Sequence, residues 1–382
     1  MAVTDETTIR RRFREIVGRD PRLFVAPGRV NLIGEHTDYN EGFVLPMAID
    51  RRTLVAASPR DDRRVVVRSL SFDASAEIDL DAAPEPRRGS WVDYVEGVAR
   101  VLEARGSRLH GTDLVLDSDV PTGAGLSSSA ALEVGVGLAL LGIAGVSLDR
   151  VALALAAQAA EHEYVGTRCG IMDQYISALA RDRHALLIDC RSLEPAWVPL
   201  DGDVKILICD TKVKHSLATG EYNTRRAECE QGVALLRARL PEIRALRDVT
   251  SEQLAEHASV LPDVVRRRCR HVVSENERTT RAADALRAGD HATFGTLMFE
   301  SHASLRDDYE VSAPELDACV EAARTVRGVF GARMTGGGFG GCTVNLVAAD
   351  AVEELTAVLA RALPKPPDVF VSHAAAGARE VE

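Results

Sequence analysis

Strand-forming stretches cluster early along this chain and helix-forming ones later, and that bias restricts its fold more than any other feature. Residues 45–57, 64–70, 114–116, 185–189 and 204–210 read as strands from their short apolar, β-branched runs. Residues 251–327 read as almost unbroken helix. Shorter helices are expected at 8–17, 91–103, 148–165, 221–240 and 351–363, with strands at 23–25, 343–347 and, last, 369–372. Strands gathered early and helices late indicate an α+β architecture. A chain of 382 residues has room for two domains. The β-rich half ends near 201–205, so a β-rich domain 1–203 and a helix-rich α/β domain 204–382 are expected, with no compositional linker between them.

Charge and cysteine usage remove several classes of function. Lys plus Arg is 46 and Asp plus Glu is 57, a net charge of −11. That balance opposes general nucleic-acid binding, which needs positive charge to displace counterions. It leaves room for a phosphate site built from backbone N–H groups. The seven cysteines are scattered, odd in number and without a C-x-x-C pair, so neither a zinc site nor a disulfide framework is indicated, and a reducing cytoplasm fits. Residues 1–15 are charged and read as no signal peptide. The most apolar stretch, 130–146, carries Glu133 and several glycines and falls short of the ~20 residues that cross a bilayer. It reads as a buried helix, and no membrane partner is expected.

Chemistry is concentrated in five places. Ala26-Pro27-Gly28-Arg29-Val30-Asn31-Leu32-Ile33-Gly34-Glu35-His36-Thr37-Asp38-Tyr39 places a fixed cation, two acids, a His and a Tyr among apolar residues. Such a segment makes poor core and poor solvated loop, and it suits a site that grips hydroxyls while facing a negative group. Pro121-Thr122-Gly123-Ala124-Gly125-Leu126-Ser127-Ser128-Ser129-Ala130-Ala131 lies between a strand and an apolar helix. Its glycines let backbone approach a ligand, its serines are good N-caps, and the helix start favours phosphate oxygens. Taken alone it is equally a capped turn, and no Walker Gly-Lys-Ser/Thr follows. Asp173 stands beside apolar Ile171 and Met172, after Gly170 and a helix containing Glu161. Five of the six residues 336–341 are glycine, which is a flexible connection or a place of close backbone approach. Last comes His215-Ser216-Leu217-Ala218-x-x-Glu221-Tyr222.

Together these segments resemble galactokinases of the GHMP kinase superfamily. The 26–39 segment is similar to the galactokinase signature, and Pro-x-Gly-x-Gly-Leu-Ser-Ser-Ser-Ala to the superfamily's nucleotide loop. The resemblance implies a two-domain GHMP kinase fold with the site between the domains. It implies a kinase that moves the γ-phosphoryl of ATP to O1 of α-D-galactose with Mg²⁺. By matching position, Asp173 is the base and Arg29 its charged partner. Glu35, His36, Thr37, Asp38, Gly170 and Tyr222 contact the sugar. Ser69 and residues Gly123, Ala124, Gly125, Leu126, Ser127, Ser128 and Ser129 hold the nucleotide, with Ser129 and Glu161 as metal ligands. A monomer is expected. The alternatives are a kinase for N-acetylgalactosamine or arabinose, or a silent galactose sensor. The intact serine loop and Asp173 disfavour the sensor.

Overall fold

A computed structural model describes residues 5–147, 149–200, 203–214 and 218–382. Its first sheet has six strands in the order Arg379–Val381, Arg22–Asn31, Pro46–Pro59, Thr112–Ser118, Arg64–Ser69, Ala74–Asp79. All neighbours are antiparallel except Arg64–Ser69 beside Thr112–Ser118. A four-stranded sheet contains Val329–Thr335, Gly340–Ala348, Val204–Lys214 and Asp368–Ser372 in that order. A small third sheet joins Phe43–Val44, His184–Asp189 and Pro195–Pro199.

Side-chain alternation sets the layers of the first sheet. Leu23 and Val25 face the helix Glu6–Val17 through Ile9 and Phe13. Phe24 and Ala26 face the opposite core, shared with the helices Trp91–Ala104, Ser128–Ala144, Arg150–Ala160 and Met172–Leu179. The apolar stretch with several glycines forms the helix Ser128–Ala144, as expected. Its glycines admit neighbours: a Cβ on Gly137 would lie 2.8 Å from Leu153 and 3.1 Å from Val98.

Beyond Ala26 the first strand leaves this core. Its register with Pro46–Pro59 shifts between Pro27 and Arg29, a bulge that re-aims side chains. Val30, Leu32 and Ile33 then enter a second core built with Ile206, Ile208, Phe294 and Val344 from the later half of the chain. One strand therefore belongs to both cores, and Arg29, just past the register shift, lies where they meet. A Cβ on Gly28 would come within 2.7 Å of the Leu126 carbonyl, so glycine there lets the nucleotide-type loop close on the bulge.

One expectation fails. Residues 369–372 are not the last strand, because Arg379–Val381 pairs with Leu23–Val25. Its three residues carry no apolar pattern; backbone pairing, the Glu380–Arg22 ion pair and the packing of Val381 beside Leu23 and Val25 seat them at the sheet edge.

Candidate active site

Arg29 and Asp173, 144 positions apart in sequence, meet fork to fork. Arg29 Nε lies 2.8 Å from Asp173 Oδ1 and Nη2 lies 2.7 Å from Oδ2, a bidentate geometry that fixes both planes. Nη1 donates to the Gly125 carbonyl at 2.6 Å. The Arg29 side chain is 5% exposed and that of Asp173 26%, so the cation lies behind and the carboxylate faces outward. Burial opposes the Arg29 charge, but Asp173 and Glu35 outweigh it and raise its pKa. Ser127 Oγ donates to Asp173 Oδ2 at 2.6 Å. A carboxylate has about four acceptor positions. Three are filled here, which leaves one on Oδ1.

This pair lines a cavity of about 140 Å³, walled also by Glu35, His36, Asp38, Glu161, Gly170, Tyr222 and Gly336-Gly337. Glu35 is 2% exposed; its Oε1 accepts the Gly336 N–H at 2.7 Å and Arg333 stands 3.5 Å away. Burial raises its pKa against the pull of Arg333 and Arg29. Burial, with the charge of Asp173 added, pushes Asp38 up to about 6. A Cβ on Gly170 would fall 1.8 Å from an Asp38 oxygen, so the carboxylate occupies the space a larger residue would need. Burial pushes His36 down to about 3, so its ring is neutral at pH 7. It is held at φ 61°, in the left-handed region that few non-glycine residues adopt.

Thr37 departs from the expected set. Its side chain is fully buried, and its hydroxyl lies 2.9 Å from the Gly34 carbonyl and 2.6 Å from that of Phe43. It pins the turn and does not line the cavity. Tyr222 lies in the helix Ala218–Leu236 and its ring packs, tilted, 5.5 Å from that of His36; His215, Ser216 and Leu217 of the same motif lie outside the described residues.

A second cavity, about 200 Å³, is lined by Ser69, Phe72, Trp91, Tyr94, Thr122, Ser128, Ser129 and Leu132. Ser69 and the last two loop serines thus share one wall. Phe72 and Trp91 stack at 6.2 Å with planes 11° apart. Trp91 and Tyr94 are set by the N-terminus of their helix, where Asp93 accepts the N–H groups of Gly89 at 2.7 Å and Ser90 at 3.2 Å. Such a capping box stabilises a helix start by about 1 kcal/mol.

The serines do not all cap their helix. Ser127 occupies the N-cap position at φ 60° and makes no side-chain cap bond, because its hydroxyl is engaged by Asp173. Gly123 and Gly125 have positive φ. Ala124 and Leu126 are buried in the second core, so they can meet a ligand only through backbone. The Leu126 carbonyl accepts the Arg29 N–H at 3.1 Å. The third glycine run folds back here: Cβ atoms on Gly336 and Gly341 would lie 2.8 Å and 2.7 Å from the carbonyls of Gly125 and Ala124.

Glu161 opens a single π-helical turn, Glu161–Val165, a distortion found often at functional sites. Gln174 Nε2 donates to both Glu161 and Glu133 at 2.9 Å. Burial raises both carboxyls, Glu161 to about 7, and Asp173 and Glu161 respectively add to the effect. Glu133 Oε1 is buried without a hydrogen-bond partner among the described residues. Among the described residues no three His, Cys, Asp or Glu side chains cluster as a metal site. Two buried carboxylates with an orphaned oxygen nevertheless form an all-oxygen donor set that suits a hard divalent cation completed by phosphate and water.

Sequence reading passed over Glu133, Gln174, Arg333, Trp91 and Tyr94. The first and third carried a signal: a single acid in an otherwise apolar helix, and an arginine inside a strand that is fully buried. A larger groove of about 390 Å³ near Arg183, His184 and His373 shares no residue with either cavity.

The galactokinase galactose-binding signature matches residues 11–59, the GHMP kinases N terminal domain residues 93–181, and the GHMP kinases C terminal domain residues 282–365. The chain is 54% identical to the galactokinase of Chloroflexus aggregans, over 92% of this chain and 91% of that one. The chain belongs to the galactokinase family. The galactokinase of a Roseiflexus species is 51% identical over 94% of this chain and 92% of its own. The Lactococcus lactis galactokinase, solved with galactose, superposes with a TM-score of 0.95 at 35% identity, covering 98% of this chain and 99% of that one. The two-domain GHMP kinase fold is therefore established, as is membership of a kinase family that uses ATP as co-substrate. No helix among the described residues is long and apolar enough to cross a membrane.

Proposed function

We propose that this chain phosphorylates α-D-galactose at O1 with ATP, giving galactose 1-phosphate and ADP. The observation that carries this reading is the Arg29–Asp173 pair, whose carboxylate keeps one open acceptor position on a cavity otherwise walled by hydroxyl-binding groups. Glu35 and Asp38 accept from sugar hydroxyls, and His36 and Tyr222 complete the pocket. Gly170 leaves the space that Asp38 fills. The O1 proton passes to Asp173 Oδ1 as O1 bonds to the γ-phosphorus and the bond to the ADP oxygen breaks. Phosphoryl transfer has little bonding to the nucleophile at its barrier, so a late proton transfer is sufficient. Arg29 orients Asp173 and offsets negative charge on the moving group. The triphosphate lies over the backbone of Gly123–Leu126 and the hydroxyls of Ser128 and Ser129, with the purine in the cavity of Phe72, Trp91, Tyr94 and Ser69. Glu161 and Ser129 would hold Mg²⁺, with Glu133 behind, and the ion when bound neutralises phosphate charge. The same reading divides the chain into residues 1–203 and 204–382 and makes it a cytoplasmic monomer.

The test is coupled ADP release with Mg·ATP across galactose, N-acetylgalactosamine, arabinose and glucose. Galactose should be the preferred acceptor, and ³¹P NMR should show an anomeric phosphate. Preference for another sugar, or binding without turnover, would replace this reading. Arg29→Ala should lower kcat by roughly 10²-fold, the scale of one electrostatic stabiliser, while the galactose KM moves only severalfold. A change confined to KM would reduce Arg29 to a binding residue.

A further inference from the structure

Behind the cavity wall runs a hydrogen-bonded chain that none of the assigned roles uses. His36 Nδ1 lies 2.8 Å from Tyr39 Oη, Tyr39 Oη lies 2.8 Å from Tyr309 Oη, and Tyr309 Oη lies 3.2 Å from Cys229 Sγ. Tyr309 and Cys229 are 0% and 1% exposed. The rings are packed as well as bonded: His36 and Tyr309 centroids are 4.7 Å apart, and His271 backs Tyr309 at 4.5 Å. The other imidazole nitrogen, His36 Nε2, is buried and makes no well-formed hydrogen bond among the described residues, with the Gly337 backbone a polar influence on the ring, on a residue that lines the sugar cavity together with Gly337.

We propose that Tyr39 and Tyr309 are positioning residues that fix the tautomer of His36, so that Nε2 enters the sugar cavity as a donor. This deepens the galactose reading and rests on it for the identity of the acceptor. Three bonds join four groups, and each phenol has one proton. A consistent chain must therefore run in one direction throughout. Either Cys229 S–H donates to Tyr309, Tyr309 to Tyr39 and Tyr39 to Nδ1, or every arrow is reversed. The first direction gives the phenol proton to an imidazole nitrogen, a strong acceptor. The second ends on thiol sulfur, a weak one. The first is favoured, and it leaves the proton of the neutral ring on Nε2. Its neutrality agrees with the burial that pushes His36 down to about 3.

The consequence is for specificity. Glu35 and Asp38, when ionised, only accept hydrogen bonds. A sugar hydroxyl that must accept needs a donor, and the chain supplies one of fixed sense. An imidazole free to exchange tautomers would present that donor only part of the time.

The experiment uses full-length enzyme labelled with ¹⁵N-histidine, the His36 signals being assigned by their loss in His36→Gln. Wild type should show a single tautomer with a protonated Nε2. Tyr309→Phe should give a mixed or reversed tautomer, raise the galactose KM roughly tenfold, the scale of one mismatched buried hydrogen bond, and leave kcat and the ATP KM within about twofold. Measured against the monodeoxygalactoses, the penalty should vanish for the one analogue whose missing hydroxyl faces His36. Tyr39→Phe, nearer the surface, should reproduce the pattern and serves if Tyr309→Phe folds poorly. A protonated Nδ1 in wild type, an unchanged tautomer in both variants, or an equal penalty for every analogue would overturn the proposal. The tautomer is read without substrate, so an enzyme that preferred another sugar would count against the galactose assignment and leave this readout standing.

Discussion

Asp173→Asn is expected to lower kcat by about 10³-fold, within the range of a lost general base, while ATP still binds within severalfold of wild type. Asparagine fills the same volume and can accept a hydrogen bond from Arg29, but it cannot take the O1 proton or balance the guanidinium. Arg29 is buried, and an uncompensated buried charge is costly. The variant should therefore also melt earlier, and turnover must be referred to the folded fraction. ATP affinity isolates the effect, because the second cavity contains neither Arg29 nor Asp173. Ser127 gives a finer control: it donates to Asp173 at 2.6 Å, and Ser127→Ala should cost far less than Asp173→Asn. Turnover by Asp173→Asn above a tenth of wild type would end the assignment of Asp173 as proton acceptor.

Asp38→Asn should separate stability from function in opposite directions. Burial and the neighbouring Asp173 raise Asp38 to about 6 from its ordinary 3.8. A carboxyl raised on folding contributes stability that is complete below its unfolded pKa and lost as pH rises through the folded one. Wild type should thus lose stability between about pH 4 and pH 6 through this group, by an amount on the order of 3 kcal/mol. The amide carries no such cost. The variant should melt above wild type at pH 8, and the gap should close toward pH 4. Its galactose KM should rise by roughly 10³-fold or more, because a buried site built to accept from a hydroxyl discriminates strongly. Glu35 and Glu161 are raised too, so the difference between the two proteins, not either curve alone, is the quantity to follow. Equal melting at pH 8 would show that Asp38 carries no buried-charge cost in the empty enzyme.

Both predictions follow from residues whose chemistry was legible in order along the chain. The Arg29-to-Tyr39 segment, the glycine and serine loop, Asp173 and the third glycine run could each be picked out because they break local rules. They set charge among apolar residues, or glycine where neither a helix nor a strand wants it. The core helix at Ser128–Ala144 was equally legible from its apolar run. Tyr309 and Gln174 were not, since a lone Tyr or Gln in a helical stretch is unremarkable until its partners are known. Ser127 was misread as a cap because its true acceptor, Asp173, lies 46 positions away. Thr37 was misread because the carbonyls that engage its hydroxyl are exposed only by the turn it closes.

The sequence by itself determined the α+β class, the galactokinase family resemblance and the chemical types brought to the site, because residue type, local periodicity and short motifs are properties of order. Tertiary structure alone decided which nitrogen of Arg29 meets which oxygen of Asp173, that Glu133 backs Glu161, and that Tyr39, Tyr309 and Cys229 stand in line behind His36. Those pairings depend on a bulge in one strand and on a core shared by both halves of the chain. Contacts between distant residues are fixed only once burial makes an unpaired polar group too costly to leave.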